Sequence, residues 1–291
     1  MSRGERYRRY GREPRRRRGG RTAVWILLIV IMAAAVGLAL AREARKDDAP
    51  TAEPSVTTAP AQKLLIREGL RREDIAALLD KETSIPGARY LALTAAGARG
   101  ERLAGTSRPT SLEGFLFPAT YDITDATTAS ELVDDQLAAY DANTSQVDYR
   151  YARSKNLTRF DVLTLASMIE REVAVPRERP IVAGVMYNRL HRGMRLDIDA
   201  TVQYALGRWK PDLTASDLAI DSPYNTRKFT GLPPGPISNP GLDSIRAAAR
   251  PAKVPYLYYV ARNDGTGRHF FATTQEEFDR DVAQSEANAG G

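Results

Sequence analysis

The stretch AVWILLIVIMAAAVGLALA, Ala23 to Ala41, constrains this chain more than any other feature, because nineteen successive residues carry no charge. As an α-helix it would be roughly 28 Å long, close to the hydrocarbon thickness of a bilayer. Residues 1 to 22 hold ten Arg against two Glu, and REARKDDAPTAEPS follows the apolar run. That asymmetry predicts one membrane span, with the N-terminus in the cytoplasm and everything from Arg42 onward outside it. The run exceeds the roughly 7–15 apolar residues of a signal peptide, so an uncleaved anchor in the cell membrane is expected.

Charge sorts the remainder. The net charge is +6, but residues 1–22 alone contribute +8, which leaves the rest of the chain at −2. A basic arm beside a membrane span suits anionic lipid headgroups or cytoplasmic partners better than nucleic acid. Cysteine is absent and only His191 and His269 occur, so disulfides, thiolate sites and a His-rich metal centre are not expected.

After the span, residues 42–61 include DDAPTAEPSVTTAPA, which has no apolar period and reads as a disordered linker. From Gln62, KLLIREGLRREDIAALLDKE predicts a short strand, a turn at Gly69 and a helix with Ile75, Leu78 and Leu79 on one face. This small α/β unit occupies 62–105, and a larger domain occupies 106–291. Within the latter, helices are expected over Ala129–Tyr140, Thr158–Val173, Arg179–His191 and Leu242–Arg250. Asp199 is expected as a helix N-cap, YLYYVAR as a strand, and GRHFFATTQEEFDRDV as a strand plus closing helix. The fold class is α+β: a single N-terminal transmembrane helix, a spacer, then a mixed α/β extracytoplasmic domain.

The chemistry concentrates in LASMIEREVAVP, Leu165 to Pro176, where Glu170 and Glu172 interrupt an apolar run. Residues two apart on a helix project roughly 200° from each other, so the two cannot flank one bond as an acid–nucleophile pair. Glu172 shares its face with Leu165, Met168 and Ile169 and lies in the last turn. Desolvation and the negative end of the helix both raise its pKa, as a general acid requires. Pattern alone leaves a second reading open, in which both glutamates are ends of buried ion pairs with Arg171, Arg177, Arg179 or Arg189.

LEGFLFPATYDI, LASMIEREVAVPRERPIVAGVMYNRLHRGMRLDIDATVQYALG, SPYNTRKFTGLPPGPISNPGLDSIRAAARPAKVPYLYYV and GRHFF resemble, in this order, the MltG/YceG family of endolytic murein transglycosylases. The resemblance runs from about Lys63 to Phe271. It implies a membrane-anchored enzyme that cuts nascent peptidoglycan strands, with Glu172 at the family's catalytic glutamate. Departures fall at Ala119, Ala200 and Phe278, and the region before LLIREG is shorter than the LysM-like module of many members.

The resemblance also implies the mechanism: Glu172 protonates the oxygen between N-acetylmuramic acid and N-acetylglucosamine, and the muramoyl 6-hydroxyl closes onto C1, leaving a 1,6-anhydro end. No metal or organic cofactor is implied. Tyr224, Asn225 and Thr226 match the family's Y-N-T and become candidate glycan contacts, or else an Asx turn with a packed tyrosine. Asn188 could hold Glu172 or a sugar acetamido group, and Glu113 could bind substrate or pair with an arginine. GLPPGPISNPG is expected as a rigid groove wall, and His269 as packing. Peptidoglycan strands, the membrane and cell-wall synthases are the expected partners. The other functional class is a non-catalytic, membrane-tethered glycan-binding or division-scaffold protein.

Overall fold

A computed structural model describes residues 61–95 and 111–290, which belong to one compact unit running from Thr58 to Gly291. The expected basic arm and membrane span lie outside the described residues, as does nearly all of the linker. Among those described, no helix is long and apolar enough to cross a membrane.

Strand β1 (Gln62–Leu65) pairs antiparallel with β2 (Thr120–Ile123), with Gln62 opposite Ile123 and Leu65 opposite Thr120. The two-residue period turns Leu64, Tyr121 and Ile123 inward. Gly69, at φ 79°, makes the turn into α1 (Arg72–Glu82), whose Ile75, Ala76 and Leu79 are buried. Helix α2 (Gly87–Thr94) was not expected. Its anchor is Tyr90, fully buried, whose hydroxyl donates to Gln136 Oε1 at 2.8 Å.

The larger part is built on α5. In order come α3 (Ala129–Thr144), α4 (Arg150–Ser154), α5 (Arg159–Glu172), a 3-10 turn (Pro176–Glu178), α6 (Arg179–His191), α7 (Asp199–Ala205), α8 (Ala215–Leu218) and α9 (Leu242–Ala249). Then β3 (Tyr258–Ala261) and β4 (His269–Ala272) form an antiparallel hairpin against which α10 (Gln275–Ala289) packs. Every residue of α5 from Val162 to Ile169 is buried, and α6 and α9 pack against it.

A capping box sets the start of α5: the Asp161 N–H donates to Thr158 Oγ1 at 3.1 Å, and the Thr158 N–H to Asp161 Oδ2 at 2.7 Å. The helix ends at Glu172 because Val173 turns extended, at φ −113° and ψ 105°, shortly before Pro176. Glu172 is thereby the last helical residue.

The Gly/Pro-rich loop only partly forms a wall. Ile237, Ser238 and Asn239 are fully buried. Against the middle of α5, the Ile237 N–H donates to Ser167 Oγ at 3.0 Å and the Ser238 hydroxyl to Ser167 O at 3.1 Å. Asn239 Oδ1 accepts from the N–H groups of Gly114 and Leu116 at 2.8 and 3.0 Å. Gly114 sits at φ 87°, and a Cβ there would come within 2.6 Å of Pro236 Cγ, so glycine is required twice over. Asn239 Nδ2 also donates to Leu70 O at 3.0 Å, so this loop ties α5, and with it Glu172, to the segments around Leu70 and Gly114.

Candidate active site

Glu172 lines a cleft of about 590 Å³ together with residues of α6, the 195–199 turn, Arg227, β3, β4 and α10. The Tyr259 hydroxyl donates to Glu172 Oε2 at 3.2 Å, and the Ala200 N–H also donates to this carboxyl. Burial pushes the Glu172 carboxyl up to about 7, and the negative charge of Asp199 adds to the rise. Tyr259, the Ala200 N–H and the charge of Arg227 act in the opposite sense. The balance is a group that holds its proton near neutrality and can release it, which suits a general acid. Tyr259 remains a donor throughout, since burial and the nearby glutamate raise its own pKa well above the ordinary phenol value.

Two further carboxylates, Asp197 and Asp199, share the cleft. Asp197, at φ 57°, is 3.2 Å from Arg189 Nη1 and 3.5 Å from Arg195 Nε. Asp199 pairs with Arg227 Nε. Asp199 is not the N-cap expected of it: Ile198 occupies that position, and Asp199, as the first helical residue, turns its carboxylate to Arg227. Both aspartates are thus engaged by arginines.

Glu170 has the fate that the ion-pair reading assigns. Its side chain is 6% exposed, lies 3.1 Å from Arg179 Nη2, and accepts the Gly241 N–H at 3.0 Å. Among the described residues Glu172 takes no arginine partner of this kind. On one helix the two carboxylates therefore serve fold and cleft respectively.

The other expected contacts lie elsewhere. Asn188 donates both amide hydrogens to backbone, to Val254 O and Tyr256 O at 2.9 Å each, which steadies the approach to β3. Asn225 does likewise with Leu218 O and Ile220 O at 2.9 Å, and Thr226 Oγ1 takes the Ile198 N–H at 3.0 Å. Glu113, buried and pushed up to about 8 by desolvation, accepts from Asn239 Nδ2 at 2.9 Å. The polar atoms of Asn188, Asn225, Thr226 and Glu113 are thus engaged with the scaffold, and none of the four lines the cleft that holds Glu172. Thr226 and Asn225 nonetheless carry Arg227 to Asp199. Tyr224 packs its ring 4.8 Å from that of Tyr204 and does not line the cleft. Sequence reasoning missed Tyr259, Arg227 and Glu178, and it read His269 as packing alone. For Tyr259 a signal existed in YLYYV, where strand alternation sends adjacent tyrosines to opposite faces.

The model of the YceG-like family matches residues 46–284. The chain belongs to the YceG-like family. It is 45% identical over 179 residues to the endolytic murein transglycosylase of Streptococcus pneumoniae serotype 2, a match covering 60% of this chain and 32% of that protein. With the endolytic murein transglycosylase of Bacillus subtilis it shares 46% identity over 156 residues, covering 53% of this chain and 43% of the relative. The chain thus spans less than half the length of these relatives. A crystal structure of a YceG-like protein from Listeria monocytogenes superposes with a TM-score of 0.63 at 37% identity, covering 77% of this chain and 76% of the other. The mixed α/β architecture is therefore that of a YceG-like protein.

Proposed function

We propose that this YceG-like chain is a membrane-anchored endolytic lytic transglycosylase that cuts peptidoglycan between N-acetylmuramic acid and N-acetylglucosamine. The observation that carries the proposal is Glu172: a carboxyl raised to about 7 in a cleft whose two other carboxylates are tied to arginines. Glu172 donates its proton to the departing glycosidic oxygen, and the muramoyl O6 closes onto C1, so the nucleophile belongs to the substrate. The carboxylate left behind can collect the 6-hydroxyl proton. One unpaired carboxyl is enough for this chemistry, whereas a glycoside hydrolase needs two that are free and suitably spaced. The cleft carries Arg171, Arg189, Arg195 and Arg227, which favours an anionic polymer such as a strand bearing stem peptides.

Names carried by the relatives support the same activity, and the Arg-rich arm before a nineteen-residue apolar run supports the membrane anchor with the cleft outside the cytoplasm. Cell-wall synthases are the natural partners, since they supply the nascent strands. Mass spectrometry of fragments released from purified glycan strands by the full-length chain in detergent tests the proposal. Internal cuts leaving 1,6-anhydro-muramoyl ends, one water lighter than reducing ends, are expected. Reducing ends alone would refute the lytic mechanism, terminal disaccharides alone the endolytic claim, and no release would favour a glycan-binding protein.

A further inference from the structure

The cleft holds a second proton-handling device that the reaction as described leaves idle. His269, on β4, lines the same cleft as Glu172. Its Nδ1 lies 2.8 Å from Glu178 Oε2, and its backbone N–H donates to the same oxygen at 3.1 Å. Glu178 and His269 side chains are each 8% exposed, so this pair is built into the fold. A carboxylate can only accept, which assigns the proton of the neutral imidazole to Nδ1 and leaves a lone pair on Nε2. Among the described residues nothing hydrogen-bonds to Nε2. The ring stands edge-on to Tyr259, centroids 5.4 Å apart, and Tyr259 in turn donates to Glu172. One tyrosine ring therefore separates the oriented imidazole from the proposed acid.

Packing explains the Glu178 contact but not an Nε2 left without a hydrogen-bond partner, among the described residues, in a ring that lines the acid's cleft. We propose that His269 Nε2 accepts the proton of the muramoyl 6-hydroxyl, so that Glu172 does not have to retrieve it; this rests on the lytic reading above. As Glu172 protonates the glycosidic oxygen and the C1–O4 bond breaks, O6 bonds to C1 and its proton passes to Nε2. The enzyme is left with a Glu172 carboxylate and a His269 imidazolium. Glu178 stabilises the imidazolium, and exchange with water in the cleft restores both groups. Proton count and charge balance without any other reagent. The device also favours lysis over hydrolysis, because an acceptor holding O6–H fixes the hydroxymethyl group over C1.

The test compares His269→Gln with the unaltered full-length chain on purified strands, counting anhydro and reducing ends. A lost general base costs about 10²–10⁴-fold, so kcat should fall by about that factor with KM little changed and thermal unfolding preserved. The share of reducing ends should rise as water competes for C1, an effect no merely structural role produces. Added imidazole should restore part of the rate to His269→Ala. Should His269→Gln fold poorly, Glu178→Gln, which keeps the Nδ1 acceptor but removes the charge, should still lower kcat. A folded His269→Gln with unchanged kcat and unchanged end ratio would overturn the assignment while leaving the transglycosylase reading intact. Unaltered protein that yields only reducing ends, or none, would remove both.

Discussion

If Glu172 acts as an acid, its titration should be movable in both directions by neighbours that never touch the scissile bond. A general acid must be protonated, so kcat/KM should fall as pH rises through the Glu172 pKa, near 7. The Tyr259 hydroxyl bonds the carboxylate and so favours its charged form. At 3.2 Å this contact is longer than the usual 2.7–2.8 Å for O–H···O, which places it near the low end of the ~1.5–3 kcal/mol of a charge-assisted bond. At 1.36 kcal/mol per pKa unit, Tyr259→Phe should raise the falling limb by about one unit. Asp199 acts oppositely, since its negative charge disfavours a second one on Glu172. Its side chain is 49% exposed, so water screens it, and Asp199→Asn should lower the limb by about half a unit. The assay is initial release of chain ends against pH, with thermal unfolding as control. Shifts of the same sign, or a limb that neither variant moves, would refute Glu172 as the titrating acid.

Glu172→Gln should cost about 10²–10⁴-fold in strand cleavage with the fold intact, whereas Glu170→Gln should retain measurable activity but lose about 1.5–3 kcal/mol of stability, because Arg179 gives up its 3.1 Å partner and keeps only Glu68 and Asp243 at 3.9 Å, read by denaturant unfolding. Glu113 holds its proton in the folded state up to about pH 8 but releases it near 4.5 when unfolded, so stability should fall as pH rises across that window. Glu113→Gln should flatten the slope by at most about 1.4 kcal/mol per pH unit, and an unchanged slope in chemical denaturation would discard this assignment. A phosphatase active only outside the cytoplasm, fused after Gly291, should be active; an inactive fusion beside a working cytoplasmic reporter would reverse the topology.

Local patterns made the helices legible. The apolar spacing in α5 and α6 and the Thr158–Asp161 spacing depend on residues three or four apart, so their signal sits within one turn. Helix α2 escaped because its anchor, Tyr90, is satisfied by Gln136, 46 residues away. The cleft was legible only where a helix face announced it, at Glu172. Its remaining groups arrive from distant segments: Tyr259 reaches Glu172 across 87 positions, and His269 reaches Glu178 across 91. Asn225 stands out in the sequence through the Y-N-T resemblance, and Asn188 as a polar residue that could hold Glu172 or a sugar acetamido group. Their amides instead satisfy carbonyls of irregular backbone, which has no ladder to do so.

The contrast within α5 shows how one helix end can hold both a structural and a reactive carboxylate. Glu170 turns toward α6 and α9, where Arg179 and the Gly241 N–H meet it on both oxygens. Glu172, about 200° round the helix, leaves the last turn facing β3, where a phenol and one backbone N–H meet it, a second carboxylate opposes its charge, and the Arg227 guanidinium is already paired with Asp199. Donors without a full counter-charge solvate the anion incompletely, so the proton is held until substrate supplies a better base. Extending α5 by one turn would carry Glu172 from the terminal position into a helix interior. The extended Val173 and nearby Pro176 are thus as much part of the acid as its carboxyl, because they stop the helix where the cleft begins.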